Sequence, residues 1–227
     1  MSRAEPVVAV VVAGGMGSRM NSAVPKQFLL LKGKPVLQWS LECFDQTPEV
    51  DSIVLVLPED RIEEGLGKLA DFKPHKKFTI VAGGARRQDS VRAGVNAIDA
   101  EDGWVAVHDA ARPGITNTIV SNAFKLAFEL GNAVCAMPSY DTLVKAIDGE
   151  IVGQINRSEV YRVQTPQIFR VSVLRQALEY ADKNGILVTD EAGMVRELGC
   201  KIHLVEGSEL NSKITRAEDL DMLKALL

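Results

Sequence analysis

The stretch VVVAGGMGSRMNSAVPKQF, residues Val10–Phe28, decides the fold. A run of β-branched residues stops abruptly in Gly14, Gly15 and Gly17, and Arg19, Pro25 and Lys26 follow. A near-continuous apolar run of this length fits a strand covered on both faces, as in a mostly parallel sheet. Glycines directly after such a strand permit positive φ and leave no side chain in the way, so backbone N–H groups can line a phosphate cradle. The turn carries neither the GxxxxGK[ST] of a P-loop nor the GxGxxG of a dinucleotide-binding fold. A turn that is only structural would also use such glycines. Arg19 and Lys26, with Pro25 stiffening the approach, suit a triphosphate better than a dinucleotide.

Outward from that stretch, strand-like runs alternate with helix-length segments. Strands are predicted at Val7–Ala13, Ser52–Pro58, Phe78–Gly83, Trp104–Ala110, Asn132–Pro138 and Lys201–Gly207. Helices are predicted at Val36–Phe44, Arg61–Ala70, Ser90–Ala97, Thr116–Leu130, Val171–Asn184, Asp190–Leu198 and Ala217–Leu226. Thr215 stands three residues before Glu218 in a capping-box pattern, and Thr189 is a candidate N-cap for the helix that Gly199 ends. The alternation predicts an α/β fold, a doubly wound, mostly parallel sheet. Asp141–Phe169 breaks the rhythm: it reads as strands about an Asp148-Gly149 turn, a β-hairpin arm at about 139–169. Its apolar positions are covered either by a second subunit or by folding back on the chain's own sheet. With no internal repeat or low-complexity linker, residues 1–227 read as one domain.

Composition narrows the class. An apolar content of 46%, a charged content of 25% and a net charge of −4 are ordinary for a globular domain, and give no global pull toward nucleic acid or an anionic membrane. The 3 cysteines, Cys43, Cys135 and Cys200, are scattered and without CxxC spacing, which argues against a disulfide framework or zinc site. The N-terminal apolar run is too short to span a bilayer and lacks a signal-peptide cleavage pattern, so a cytoplasmic location is expected.

Ligands of open α/β sheets sit at the carboxyl ends of the strands. AGGMGSRM, GGARRQDS and HDAARP all fall at that edge, after the first, third and fourth strands. Asp109 ends a strand where a carboxylate can hold Mg²⁺ or a ribose hydroxyl. His108 beside it is either a general base or a structural hydrogen-bonder. Ser90 and Arg87 lie where a helix starts, and either could face a base or a phosphate.

AGGMGSRM…PKQF, GGARRQDSV, HDAARP, DT, NR, QTPQIF, TDEA and NSKIT occur in the order found in 2-C-methyl-D-erythritol 4-phosphate cytidylyltransferases, and the resemblance runs from about residue 7 to 226. That family is similar to sugar-nucleotide pyrophosphorylases. The resemblance implies transfer of CMP from CTP to an alcohol phosphate, with pyrophosphate released, in the non-mevalonate route to isoprenoids. It also implies a homodimer in which a β-arm completes the neighbour's site. By resemblance, Ala13, Gly14, Gly15 and Gly17 form the CTP cradle, and Arg19 and Lys26 stabilise the pentavalent phosphorus. Gly84, Ser90, Asp109 and Ala110 lie around the nucleotide, with Asp109 at the metal. Thr142, Arg157, Thr165, Thr189 and Lys213 hold the acceptor, and Arg157 and Lys213 position its nucleophile. Two departures stand out: Ala85 where many relatives have Asp, and AGG in place of the commoner AAG. Taken singly, these residues have simpler readings, Arg157 as an edge-strand charge, Thr165 as a turn former, Thr189 as a cap and Lys213 as a surface lysine.

The chemistry agrees with the resemblance. A phosphate monoester has a second pKa of about 6, so it is mostly dianionic at neutral pH and needs little help from a base. The obstacle is the meeting of two polyanions, since unit charges about 4 Å apart repel by roughly 4 kcal/mol at an effective dielectric near 20. The expected site is therefore rich in cations, with one Mg²⁺, and poor in acid–base pairs. Among rivals, a ribitol 5-phosphate cytidylyltransferase shares most motifs and favours AGG, but HDAARP and TDEA look more like the methylerythritol enzymes. A sugar 1-phosphate nucleotidyltransferase fits the compact chain and TPQ arm less well. A non-catalytic nucleotide-binding protein has no need of Arg19, Lys26, Asp109 and Lys213 together.

Overall fold

A computed structural model describes residues 5–14 and 24–226. The central sheet has seven strands in the order β11-β7-β10-β6-β1-β4-β5. Here β1 is Val7–Val12, β4 Ser52–Leu57, β5 Lys77–Ala82, β6 Trp104–Asp109, β7 Asn132–Pro138, β10 Tyr161–Arg170 and β11 Leu204–Glu206. All neighbours pair parallel except β10, which runs antiparallel to both β6 and β7. Every residue of β1 and β6 is buried, which is why both read as unbroken apolar runs rather than alternating ones.

Helices cover both faces. Val7, Ala9 and Val11 of β1 pack with Leu37, Leu41 and Phe44 of α1 (Val36–Gln46) and Phe124 of α4 (Asn117–Leu130). Val8, Val10 and Val12 face the other way, toward Val91 and Val95 of α3 (Arg87–Asn96), Leu174 of α5 (Val171–Lys183) and Met194 of α6 (Glu191–Glu197). The period of two along one strand thus divides the core into two layers. A smaller third cluster seats α7 (Ala217–Leu226) by Leu220 and Leu223 against Leu31 and Val36. The antiparallel pair β2 (Leu30–Leu31) and β3 (Lys34–Pro35) and the short α2 (Ile62–Lys68) are further elements of the chain.

Chain order explains where a ligand belongs. From β1 the chain moves outward through β4 and β5, then returns across the sheet to lay β6 on β1's other side. The reversal puts a crevice at the carboxyl ends of β1 and β6, where Val12 and Asp109 are paired in register.

The structure corrects several expectations. The arm is shorter than 139–169: only β8 (Leu143–Ile147) and β9 (Glu150–Ile155) form a separate two-stranded sheet, while residues 161–170 are a strand of the main sheet. The QTPQIF segment is recruited because Ile168 and Phe169 are wholly buried between the two helical layers. The Asp148-Gly149 turn is present, with φ of 49° and 85°, the pair of positive values that a two-residue type I′ hairpin needs. Asp190 rather than Thr189 caps α6, its Oδ1 accepting from Gly193 N. In the TRAED segment it is Asp219, not Glu218, that receives the N–H groups of Thr215 and Arg216 and the Thr215 hydroxyl. α3 begins at Arg87, which places Ser90 inside its first turn, and the last strand is only Leu204–Glu206.

Candidate active site

Asp109 ends β6 with 6% of its surface exposed, and cations surround it. Arg87 Nε donates to Oδ1 at 3.0 Å, and Lys213 Nζ donates to Oδ2 at 2.8 Å. Arg112 Nε lies 3.5 Å from Oδ2. Burial alone would raise the Asp109 carboxyl, but Arg87, Lys213 and Arg112 reverse that and hold it well below the usual carboxylate range. On its far side the Arg87 guanidinium grips wholly buried Glu191 through two bonds, 2.5 Å to Oε1 and 3.0 Å to Oε2. Burial pushes the Glu191 carboxyl up, with Arg87 opposing.

Local folding accounts for each position. Arg87 starts α3 directly after the GGAR loop, where the Asp89 carboxylate accepts from the backbone N–H and the guanidinium of Arg86. Lys213 arrives on a loop fastened to β6's end: Ile214 N donates to Ala111 O at 2.8 Å, and Arg112 Nη1 donates to Asn211 O at 2.9 Å. Asn211, also fully buried, donates to Thr165 O at 2.8 Å and so ties that loop to β10. Lys26 Nζ donates to Ile214 O at 2.9 Å, which sets a further cation one residue from Lys213. Gln27 Nε2 holds Ala13 O at 2.8 Å, joining the segment after the first loop to the end of β1.

Among the described residues the site has more cations than anions, and its acids are already paired. Such an excess suits a polyanion. His108, beside Asp109, is completely buried, and burial lowers its pKa to about 3, so the ring is neutral and is no general base for a solvent-side substrate. Among the described residues no cluster of His, Cys, Asp and Glu could hold a metal unaided. Asp109 is the carboxylate that fits one, in the manner of Mg²⁺ sites that combine one or two carboxylates with substrate phosphates.

Residues 7–227 match the 2-C-methyl-D-erythritol 4-phosphate cytidylyltransferase family. The chain belongs to that family. It is 39% identical over 224 residues to the 2-C-methyl-D-erythritol 4-phosphate cytidylyltransferase of Geotalea uraniireducens, covering 97% of this chain and 96% of the relative. It is 37% identical over 219 residues to the protein of that name from Clostridium botulinum strain Loch Maree, covering 96% of each. Among solved structures it resembles the cytidylyltransferase from Thermus thermophilus, with a TM-score of 0.79, 33% identity and 98% of both chains covered. The 4-diphosphocytidyl-2C-methyl-D-erythritol synthase of Anaerococcus prevotii superposes with a TM-score of 0.86 at 25% identity, covering 98% of this chain and 96% of that one.

With family membership in hand, the expected site residues divide into groups. Asp109, Ala110, Thr165, Lys213 and Lys26 come together at the end of β6, linked by the bonds above. Ala13 and Gly14 close β1, and Ser90 sits against the latter: a Cβ at Gly14 would stand 2.9 Å from Ser90 Oγ. Gly14 thus leaves room for a serine that also abuts Gly83. Gly84 is packed on Asp89, where a Cβ would meet Asp89 Cβ at 2.4 Å. Thr142 and Arg157 are elsewhere, lining an open pocket on the β8–β9 hairpin with Gln154, Ile155 and Asn156. Arg157 is exposed and donates to Tyr140 O at 3.1 Å. Thr189 is exposed just ahead of α6. Gly15, Gly17 and Arg19 lie outside the described residues.

Glu191 and Arg112 carry charge to this site without having been singled out. Their signals were adjacency alone, Glu191 within TDEA and Arg112 within HDAARP. Nothing in a sequence says which of several neighbouring charges faces inward.

Proposed function

We propose that the chain transfers CMP from CTP to 2-C-methyl-D-erythritol 4-phosphate, giving 4-diphosphocytidyl-2-C-methyl-D-erythritol and pyrophosphate. The observation that carries the reading is the set of cations Arg87, Arg112 and Lys213 around Asp109 at the sheet's topological reversal, with Lys26 fastened one residue from Lys213. The acceptor phosphate oxygen attacks the α-phosphorus of CTP, and the bond to the β,γ-pyrophosphate breaks with its electron pair on the leaving group. No proton has to move for a dianionic nucleophile to react, and among the described residues the histidine beside Asp109 is wholly buried.

Positioning and charge stabilisation then supply the catalysis. Ala13, Gly14, Gly15 and Gly17 take the role of the triphosphate cradle, with Gly84, Ser90 and Ala110 at the nucleoside. Arg19 and Lys26 offset charge on the pentavalent phosphorus, and Lys213, with Thr189 and Thr165 in the role of acceptor contacts, draws in the acceptor. Mg²⁺, when bound at Asp109 with CTP oxygens, supplies charge neutralisation. Asp109 is already anionic and needs no proton loss to serve as its ligand.

Thr142 and Arg157 belong to the acceptor site of a second copy in this proposal. The β8–β9 hairpin leaves Val144, Ile147, Ile151 and Val152 exposed, and an isolated two-stranded hairpin is marginally stable at best in water. A homodimer covers that face and brings Arg157 to its partner's acceptor. The chain works in the cytoplasm, where reduced cysteines are the norm. Cys43 and Cys135 are buried thiols pushed up to about 12, and no helix among the described residues is long and apolar enough to cross a membrane.

Direct transfer is tested with CTP labelled at the α-phosphate. Labelled product forms only when acceptor is present, and no label stays on denatured protein. A trapped CMP–protein adduct that chases into product would overturn the direct mechanism.

A further inference from the structure

Gln164 and Gln167 stand on β10 on either side of Thr165-Pro166, and both side chains are buried. Their carboxamides leave the strand for two different loops. The Gln164 amide takes both backbone groups of Ser208: Nε2 donates to Ser208 O at 2.8 Å, and Oε1 accepts from Ser208 N at 3.3 Å. Oε1 also accepts from Asn211 Nδ2 at 3.1 Å. A residue of a neighbouring strand would exchange the same two bonds, and here a side chain supplies them just past the end of β11 at Glu206. Gly207 makes the approach possible, since a Cβ there would stand 2.2 Å from Gln164 Oε1. Gln167 serves the start of α6. Its Oε1 accepts from Ala192 N at 2.8 Å, and its Nε2 donates to Asp190 Oδ2 at 3.1 Å. Ala192 lies in the first turn of α6, where a backbone N–H has no intrahelical acceptor, and the glutamine provides one. A carbonyl only accepts and an N–H only donates, which fixes the orientation of both carboxamides.

The two loops held in this way carry Lys213 and Thr189, and they reach Asp109 by different oxygens. Lys213, two residues beyond Asn211, meets Oδ2. Glu191, between Asp190 and Ala192, grips Arg87, which meets Oδ1. Lys213 is partly exposed and Thr189 is exposed, so both are open to a ligand, whereas the two glutamines act from inside. We propose that Gln164 and Gln167 are positioning residues of the acceptor side. Gln164 sets Lys213 and Gln167 sets Thr189, so that one strand, β10, fixes how far apart these two contacts stand. The inference rests on the transfer reaction proposed above and extends it to two residues that need touch neither substrate. It also accounts for two buried amides three residues apart on a core strand. Apolar side chains would fill the same space and leave backbone groups of both loops unpaired.

Kinetics and amide exchange on the full-length protein test this. Gln164→Met and Gln167→Met keep the side-chain volume and lose the hydrogen bonds. Each should raise KM for the acceptor phosphate roughly 3- to 10-fold, with KM for CTP within about twofold. A role in stability alone would lower the fraction of active enzyme and leave both KM values where they were. Gly207→Ala should reproduce Gln164→Met, because its methyl group displaces the carboxamide and leaves Gln164 itself unchanged. Crossed double variants assign each glutamine to its loop. Gln164→Met should cost little more on top of Lys213→Met, and its full factor on top of Thr189→Val; Gln167→Met should do the reverse. Additivity in all four combinations, or a loss without a change in KM for the acceptor, would overturn the proposal. Amide exchange needs no activity. In the wild type the N–H groups of Ser208 and Ala192 should exchange slowly, and exchange at open-loop rates would overturn the proposal. Gln164→Met should speed exchange at Ser208 and not at Ala192, and Gln167→Met the opposite. If the wild type releases no pyrophosphate with this acceptor, the transfer reading fails, and amide exchange still decides whether the glutamines hold the loops.

Discussion

Lys213 Nζ lies 2.8 Å from Asp109 Oδ2, although 104 residues separate them. The contact fastens the loop before α7 to the sheet's reversal. In the proposed reaction Lys213 serves the acceptor and Asp109 the nucleotide. Lys213→Met should lower kcat/KM by roughly 10²-fold or more, the scale seen when one preorganised charge-stabilising donor is lost. Steady-state kinetics with each substrate varied checks this. The denaturation midpoint should fall as well, because Lys213 is one of three cations that offset the buried Asp109 carboxylate.

Gly114 sets where that loop can go. A Cβ there would stand 1.9 Å from Leu210 O, a backbone atom that cannot rotate aside. Gly114→Ala should cost at least about 2 kcal/mol in equilibrium unfolding, at the upper part of the overpacking range. It should also reduce activity by displacing Asn211 and Lys213. Urea unfolding monitored by far-UV circular dichroism reads the stability term.

Acid should weaken the fold through Asp109. Its folded pKa is depressed, after burial is outweighed by Arg87, Lys213 and Arg112, so the unfolded chain takes up the proton first. The stability it contributes is present above the unfolded value of about 3.9 and is lost as pH falls from there toward the folded value. Glu191 runs the other way. Burial raises it, so its contribution is largest below the unfolded value of about 4.3 and fades as pH rises through its folded value. Between about pH 5 and 3, Asp109→Asn should flatten the decline of the urea midpoint and Glu191→Gln should steepen it.

The sheet was legible because β1 and β6 are buried on both faces, and their unbroken apolar runs leave no other reading. The loops at their ends were legible for a different reason. Glycine, Asp109 and the cations are costly to place at a strand end without a ligand to meet. What the sequence hid was long-range pairing. QTPQIF looks like the return strand of a hairpin, and only the space between β6 and β7 makes it a central strand. Glu191 reads as a first-turn helix acid, and only Arg87, 104 positions away, makes it a buried partner of the site. The bounds of α7 are as expected, but its accepting carboxylate is Asp219 and not Glu218, because it is Asp219 that faces the N–H groups of Thr215 and Arg216.

The placement of Arg157 in the turn Arg157–Glu159 just after β9, apart from the Asp109 cluster, leads to a complementation prediction for the proposed homodimer. Arg157→Ala and Lys26→Ala proteins should each be nearly inactive. Mixed after dissociation, they should regain activity, because one of the two sites in a heterodimer then has both residues intact. Activity of a titrated mixture checks it. A mixture no more active than its parents would remove Arg157 from the partner's site.

The central claim is tested most directly by Mg²⁺-dependent pyrophosphate release from CTP, with 2-C-methyl-D-erythritol 4-phosphate and ribitol 5-phosphate assayed in parallel. The account predicts release with methylerythritol phosphate, abolished by chelation of the metal, and little or none with ribitol phosphate. Preference for ribitol phosphate, or release from CTP with neither acceptor present, would contradict it.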